Sequence, residues 1–266
     1  MGDTMKIICL VKFVPKVDDF KYDYKQNILI REGVPMIINP DDACALEFAL
    51  QTKDKNPEVR IEIVCMGPLS LQKSMEDLLR RGADFATLIS DKLFVASDTF
   101  ATAQVLSTYL QRNHFDLILS GSQTLDGDTG HIGPQVGELL ALNQFSNVIK
   151  IETLTTNETI IKVDDDTKIL TLGLPLPALL SISKDSKYKL RFTKSQDFAK
   201  DVSQQLVVVS NDELSLSASD VGLKGSPTKI KKTFVAKHEK KAVKVFACDE
   251  EGIEAVYHFL KQQIKA

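Results

Sequence analysis

Short, continuous apolar runs alternate with stretches of helical periodicity through the first half of the chain, and this alternation constrains the fold more than any other feature. Met5–Lys12 (MKIICLVK), Arg60–Met66 (RIEIVCM), Phe85–Ser90 and Phe115–Ser120 (FDLILS) have strand length. Their near-continuous apolar character is that of strands covered on both faces. Between them, Ala43–Lys53, Leu69–Arg81 and Asp98–Arg112 repeat apolar residues at helical spacing. Asn39 stands ahead of the first as an Asx helix start, and Gly82 follows the second as a cap. Strands alternating with helices of this length imply βαβ units, hence an α/β fold with a mostly parallel sheet and right-handed crossovers.

The pattern departs from this alternation in three places. Asp18–Val34 is polar, with Phe20, Tyr22 and Tyr24 alternating with charges before Ile28–Ile30, and reads as a hairpin-like excursion. After a short helix at Gln135–Leu142, the segments Val148–Leu154, Thr159–Val163, Lys168–Leu172 and Ala178–Ser183 follow one another across short turns. Antiparallel additions to the sheet are expected there. Lys184–Gln205 is polar and aperiodic, a linker or docking loop, before one more strand at Leu206–Ser210. A basic strand (Lys229–Val235) and a terminal amphipathic helix close the chain, the helix carrying an apolar stripe of Ile253, Val256, Phe259, Leu260 and Ile264. The expected divisions are an α/β domain over 1–183, a docking loop with a late strand over 184–217, and a C-terminal arm and helix over 218–266.

Composition narrows the function classes. A formal net charge of −3 gives no broad positive field, which argues against nucleic acid or an anionic membrane as partner. No apolar run reaches the ~20 residues of a bilayer span, and a first strand at Met5 leaves no room ahead of it for a signal peptide. Cys9, Cys44, Cys65 and Cys248 are scattered without a C-x-x-C pair or a histidine at ligand spacing. Zinc and iron–sulfur ligation therefore have no support, and a reducing, cytoplasmic location is expected. His114, His131, His238 and His258 form no evident catalytic constellation.

The most informative stretch follows the fourth strand: Gly121-Ser-Gln-Thr-Leu-Asp-Gly-Asp-Thr-Gly-His-Ile-Gly-Pro134. Open α/β sheets bind ligands at the C-terminal ends of their strands, where this loop stands. Gly121, Gly127, Gly130 and Gly133 let a backbone approach a ligand, and consecutive N–H groups around Thr129–Gly133 can form an anion nest at a helix start. Thr129 offers a hydroxyl, and Asp126 or Asp128 can accept from ribose or cap the helix. Neither the G-x-G-x-x-G fingerprint nor a P-loop is present, and two aspartates beside a phosphate need explanation. The residues leave two readings open, a nucleotide loop and a surface loop with ordinary caps.

That loop resembles the nucleotide loop of electron-transfer flavoprotein β subunits. Leu10-Val-Lys-Phe-Val-Pro15, Arg31-Glu-Gly-Val-Pro-Met-Ile-Ile-Asn-Pro40 and Gly222-Leu-Lys-Gly-Ser-Pro-Thr228 match the same family in order. The resemblance implies a Rossmann-like domain paired with an electron-transfer flavoprotein α subunit that carries a redox FAD. Family members that only relay electrons hold structural AMP and have Asp-Asp-Asp in the loop. Those linked to NAD(H) and electron bifurcation or confurcation hold a second FAD and have Asp-Gly-Asp-Thr. This chain has Asp126-Gly127-Asp128-Thr129 and is similar to the second kind.

By this resemblance the adenosine half meets Leu10, Lys12, Asn39, Asp41 and Met66. The phosphates and ribityl chain run over Gly121, Gln123, Thr124, Asp126, Gly127, Asp128, Thr129, Gly130, His131, Ile132 and Gly133. Implied partners are the α subunit, a flavin-containing dehydrogenase of acyl-CoA dehydrogenase-like or another type, and ferredoxin as a low-potential acceptor. The chain departs from the family at Val14-Pro-Lys-Val17, at Val163-Asp-Asp-Asp-Thr-Lys168 and most strongly over Lys184–Lys200, which implies an unusual dehydrogenase partner. A regulatory nucleotide-binding protein without redox chemistry is the competing class.

Overall fold

The structure, a computed structural model, describes residues 4–16, 21–23, 28–30, 35–229 and 245–264. The strands are β1 (Lys6–Leu10), β2 (Phe13–Pro15), β3 (Lys21–Asp23), β4 (Ile28–Ile30), β5 (Met36–Ile38), β6 (Arg60–Met66), β7 (Phe85–Ile89), β8 (Leu117–Gly121), β9 (Asn143–Leu154), β10 (Glu158–Asp164), β11 (Ile169–Pro175), β12 (Ala178–Ile182) and β13 (Leu206–Val209). The helices are α1 (Pro40–Lys55), α2 (Gln72–Arg80), α3 (Thr99–Leu110), α4 (Ile132–Leu139), α5 (Asn211–Leu214), α6 (Gly222–Gly225) and α7 (Glu250–Ile264). Residues Met1–Ile230 and Lys231–Ala266 form separate compact units.

Nine strands make the main sheet in the order β11-β10-β9-β12-β8-β1-β6-β7-β13. From β9 through β12, β8, β1, β6 and β7 to β13 every neighbouring pair is parallel. The pairs β9–β10 and β10–β11 are antiparallel. Side chains alternate between faces along each strand, and the core divides accordingly. Ile7, Cys9, Ile61, Ile63 and Cys65 pack with α1 and α2 residues such as Leu46, Leu50, Met75 and Leu78. Ile8, Leu10, Val64 and Ile118 pack with Ala103, Leu106 and Leu110 of α3 and Val136 of α4. Both faces of the sheet are thus covered along β1, β6, β7 and β8, as their continuous apolar runs predict.

Two sequence expectations are corrected here. Ala178–Ser183 is not an antiparallel addition: β12 inserts parallel between β8 and β9. All five of its residues are buried, the signature of a strand internal to a parallel sheet. Lys184–Gln205 is irregular but not a free linker. The Arg191 guanidinium donates to both carboxylate oxygens of buried Glu47 on α1, at 3.0 and 3.1 Å. Arg81 of α2 donates to the Arg191 carbonyl, Thr193 donates to Asp77, and Arg80 donates to the Lys200 carbonyl. Phe192 and Phe198 stay exposed on this strap.

β3 and β4 form the expected antiparallel pair. The basic strand at Lys229–Val235 falls outside the described residues beyond Lys229. On α7, Ile253, Val256, Phe259 and Leu260 are exposed. No helix among the described residues is long and apolar enough to cross a membrane.

Candidate functional site

Chain direction places the site. From β1 the sheet grows through β6 and β7 to one side, and through β8 and β12 to the other. Adjacent strands whose connections leave in opposite directions open a crevice at their C-terminal ends, here between β1 and β8. The residues following β1 and the Gly121–Pro134 loop following β8 both face it.

Helix α1 starts at the same edge, earlier than the apolar periodicity indicates. Pro40 occupies its first turn, with Asp41 and Asp42 beside it and Lys53 and Lys55 in the last turn, the charge order that a helix dipole favours. The two aspartates do more than complement that dipole. Asp42 Oδ2 accepts the Lys12 N–H at 2.7 Å, and Asp42 Oδ1 accepts the Gly121 N–H at 2.8 Å. Asp41 accepts the Gln123 N–H at 3.1 Å and the N–H of Lys184, just past β12. The ends of β1, β8 and β12 are therefore tied to one acidic dipeptide.

Burial pushes both carboxyls up, Asp42 to about 7, against the pull of backbone N–H groups on the ionised form. Asp42 is the residue that the sequence analysis missed. An acid in the first turn of a helix carries the same local signal whether it complements the dipole or holds two strands.

Asn39 holds the cap position of α1, yet its side chain makes no cap hydrogen bond. Instead its amide donates to the Gln123 carbonyl at 2.7 Å and accepts the Leu125 N–H at 3.2 Å. The base of the loop, Gly121 to Leu125, is thus fixed by Asn39, Asp41 and Asp42. Beyond that base the Leu125–Thr129 tip is exposed. It is closed by the Asp128 N–H donating to the Thr124 carbonyl at 2.9 Å, with Asp128 at φ +48°.

Lys12 reaches across the crevice and donates to both Asp126 oxygens, at 2.7 and 2.8 Å. Partial burial raises the Asp126 carboxyl, but Lys12 outweighs it and holds the group below the ordinary carboxylate range. One of the two aspartates near the expected phosphate is thereby already neutralised.

Gly130 takes φ +63°, a left-handed turn that glycine accepts without strain. Helix α4 begins at Ile132, three residues before the Gln135 start that its periodicity indicates. Gly133 lies so close to the sheet that a Cβ would stand 2.1 Å from Ser181 Oγ and 3.0 Å from Ser120 Oγ. Those two hydroxyls hydrogen-bond each other at 2.9 Å. The close approach sets the first turn of α4, with its unpaired N–H groups, at the crevice. His131 caps that turn in position only, with Nδ1 3.5 Å from the Thr99 hydroxyl. Thr99 opens α3, whose cap Asp98 accepts from the Thr228 N–H and hydroxyl at 2.8 and 2.7 Å. The Gly222–Thr228 motif thus braces the helix start next to the loop.

Of the predicted residues, Lys12, Asn39, Asp41, Gly121, Gln123, Thr124 and Asp126 are joined in one hydrogen-bonded network. Gly127, Asp128 and Thr129 form the exposed tip, and Gly130, His131, Ile132 and Gly133 lead into α4. Leu10 and Met66 end neighbouring strands on the same edge, but their side chains belong to the apolar cluster on the α3 face. The arrangement offers an ammonium, hydroxyls and helix N–H groups around an open crevice, a donor set that fits the phosphates of a nucleotide. Among the described residues no group of three or more His, Cys, Asp or Glu could hold a metal ion.

Comparison with known proteins gives the family of the chain. The electron transfer flavoprotein domain matches residues 26–206. The electron transfer flavoprotein subunit beta of Thermoanaerobacterium thermosaccharolyticum is 33% identical over 238 residues, covering 89% of this chain and 90% of the relative. Subunit CarD of the caffeyl-CoA reductase-Etf complex of Acetobacterium woodii is 34% identical, covering 86% and 87%. The acryloyl-CoA reductase electron transfer subunit gamma of Anaerotignum propionicum is 30% identical, covering 97% and 99%. A domain match over more than half the chain, joined to relatives that align along most of both sequences, shows that this chain belongs to the electron transfer flavoprotein family, on its β-subunit side.

Proposed function

We propose that this chain is the FAD-binding β subunit of a heterodimeric electron-transfer flavoprotein, working in NAD(H)-linked electron bifurcation or confurcation with a flavin-containing dehydrogenase. The observation that carries the reading is the open loop tip at Gly127. A Cβ there would have only Thr124 Oγ1 nearby, at 3.5 Å, so local packing does not demand glycine. The missing side chain instead leaves the backbone accessible to a diphosphate. Names of the relatives support the redox setting, since two of them are subunits of acyl-CoA reductase electron-transfer complexes.

In this reading Lys12, beside the adenosine half, also reaches the phosphates with its ammonium, which Thr124 and the first turn of α4 help to hold, while Asn39, Asp41 and Asp42 fix the loop that carries them. Asp128 and Thr129 accept from and donate to the sugar and ribityl hydroxyls, and Leu10 and Met66 form the apolar floor. Bound FAD supplies the electron-accepting isoalloxazine, which the protein orients and tunes. NAD(H) is the exchanged substrate and ferredoxin the low-potential partner. The exposed Ile253, Val256, Phe259 and Leu260 of α7 suit burial against the α subunit. Phe192 and Phe198 on the strap suit the dehydrogenase, in an assembly working in the cytoplasm.

Acid extraction of the copurified heterodimer, followed by chromatographic quantification of flavin and AMP, tests this reading. Two flavins per heterodimer and no AMP are expected. One flavin with one AMP would overturn it in favour of an electron-relay subunit.

A further inference from the structure

The Lys12 ammonium at the loop tip is aimed at one carboxylate. Asp126 accepts from Lys12 Nζ with both oxygens, and the Thr124 hydroxyl beside it helps hold its carboxyl ionised. An ammonium and a hydroxyl placed about a pair of oxygens are donors that a phosphate takes at anion sites. Here a side chain of the same loop takes them.

We propose that the Asp126 carboxylate is a built-in placeholder for phosphate, occupying the Lys12–Thr124 anion site until an adenine nucleotide displaces it. The inference rests on the nucleotide reading of the crevice and adds to it which residue the phosphate must replace.

Three observations make the exchange inexpensive. The Lys12 and Asp126 side chains are 47% and 33% exposed, and solvent-exposed pairs contribute little. The residues flanking Asp126 are themselves exposed, so the tip meets no packed side chain when it swings out. The loop base stays anchored by Asn39, Asp41 and Asp42 through backbone groups of Gly121, Gln123 and Leu125. Opening the Asp126 contact therefore leaves the rest of the site in place. A phosphate gains the same donors with greater negative charge, whereas adenosine has nothing to exchange. Displacing the carboxylate takes back part of what a phosphate gains, so the placeholder tempers nucleotide affinity without touching that of a bare nucleoside, and it resolves how an acidic loop serves an anion.

Titration calorimetry tests this with the full chain, in the complex in which it copurifies, stripped of endogenous nucleotide. The probes are adenosine, AMP and ADP, the last being the half that FAD shares. Asp126→Asn is expected to leave adenosine affinity unchanged and to tighten AMP and ADP by about two- to fivefold, the scale of one exposed ion pair. Lys12→Met is expected to weaken AMP and ADP by about tenfold more than it weakens adenosine. If Asp126→Asn weakens all three ligands alike, the carboxylate holds the sugar and the placeholder reading fails. Unchanged AMP and ADP affinities in that variant would also overturn it. Failure of the unsubstituted protein to bind any of the three would instead overturn the nucleotide reading itself.

Discussion

Asp42 accepts the Gly121 backbone N–H at 2.8 Å, so a buried carboxylate at the start of α1 fixes the end of the strand that leads into the ligand loop. Its second oxygen takes the Lys12 N–H at 2.7 Å, and the two strand ends are held at a set separation. Asp42→Asn keeps one acceptor and turns an amide N–H₂ toward the other donor. A buried N–H left unsatisfied costs about 1–3 kcal/mol. Urea unfolding at pH 6 should show that loss, and amide exchange at Gly121 and Lys12 should rise more than in the distant β10–β11 pair.

The same residue gives the stability a pH dependence whose sign is fixed. Burial raises the Asp42 carboxyl to about 7 in the folded chain, against about 3.9 in an unfolded one. Between those values the native state holds the extra proton. The contribution of this group is therefore fully present below about pH 4 and is lost as pH rises through about 7. Asn does not titrate. The stability gap between the unsubstituted protein and Asp42→Asn should accordingly narrow from pH 5 to pH 8 in parallel urea titrations. A gap that stays flat over that range would show the carboxylate ionised throughout.

How much of this could be read from the sequence depends on whether the signal was local. β1, β6, β7 and β8 are continuous apolar runs because both faces are covered, and that pattern survives in any window. β12 carried it too, but its place between β8 and β9 is a long-range pairing that short turns on either side disguise. The loop was legible from its glycines and its position after an apolar strand. The strap over Lys184–Gln205 was not, because scattered contacts of Arg191, Thr193 and Lys200 with α1 and α2 leave no periodicity. Asn39 was read as a cap and holds the cap position, while its hydrogen bonds go to Gln123 and Leu125. Its role depends on a partner more than 80 positions away, which no spacing rule reports.

Gly133 is where α4 comes closest to the sheet, and its lack of a side chain is a packing requirement. Gly133→Ala would put a methyl 2.1 Å from Ser181 Oγ, and overpacking of this kind costs about 1–3 kcal/mol. The first turn of α4 should shift outward and take its N–H groups from the crevice. Thermal unfolding should fall and nucleotide retention on gel filtration should drop with it. Adding Ser181→Ala removes the closest atom and should recover part of both. Loss of retention without recovery in the double variant would locate the fault in the loop conformation.

Arg191 and Glu47 decide whether the strap stays on the α/β unit. The guanidinium makes a two-pronged contact with a carboxylate whose side chain is only 5% exposed, and also pairs with Asp54 at 2.7 Å. Both acids hold the guanidinium strongly protonated, Glu47 contributing most. Arg191→Ala would leave Glu47 buried and unpaired, and breaking a buried pair this way costs about 3 kcal/mol or more. Because Arg191 itself is partly solvated, the lower end of that range is expected in urea unfolding. The local effect should exceed the global one: Lys187, Lys189 and Lys194 should become trypsin sites under native conditions, while the sheet core stays resistant. Glu47→Gln, which keeps the shape and two polar atoms beside Arg191, should release the strap less than Arg191→Ala. Equal cleavage of both variants and the unsubstituted chain would mean that the Thr193 and Arg81 contacts hold the strap unaided.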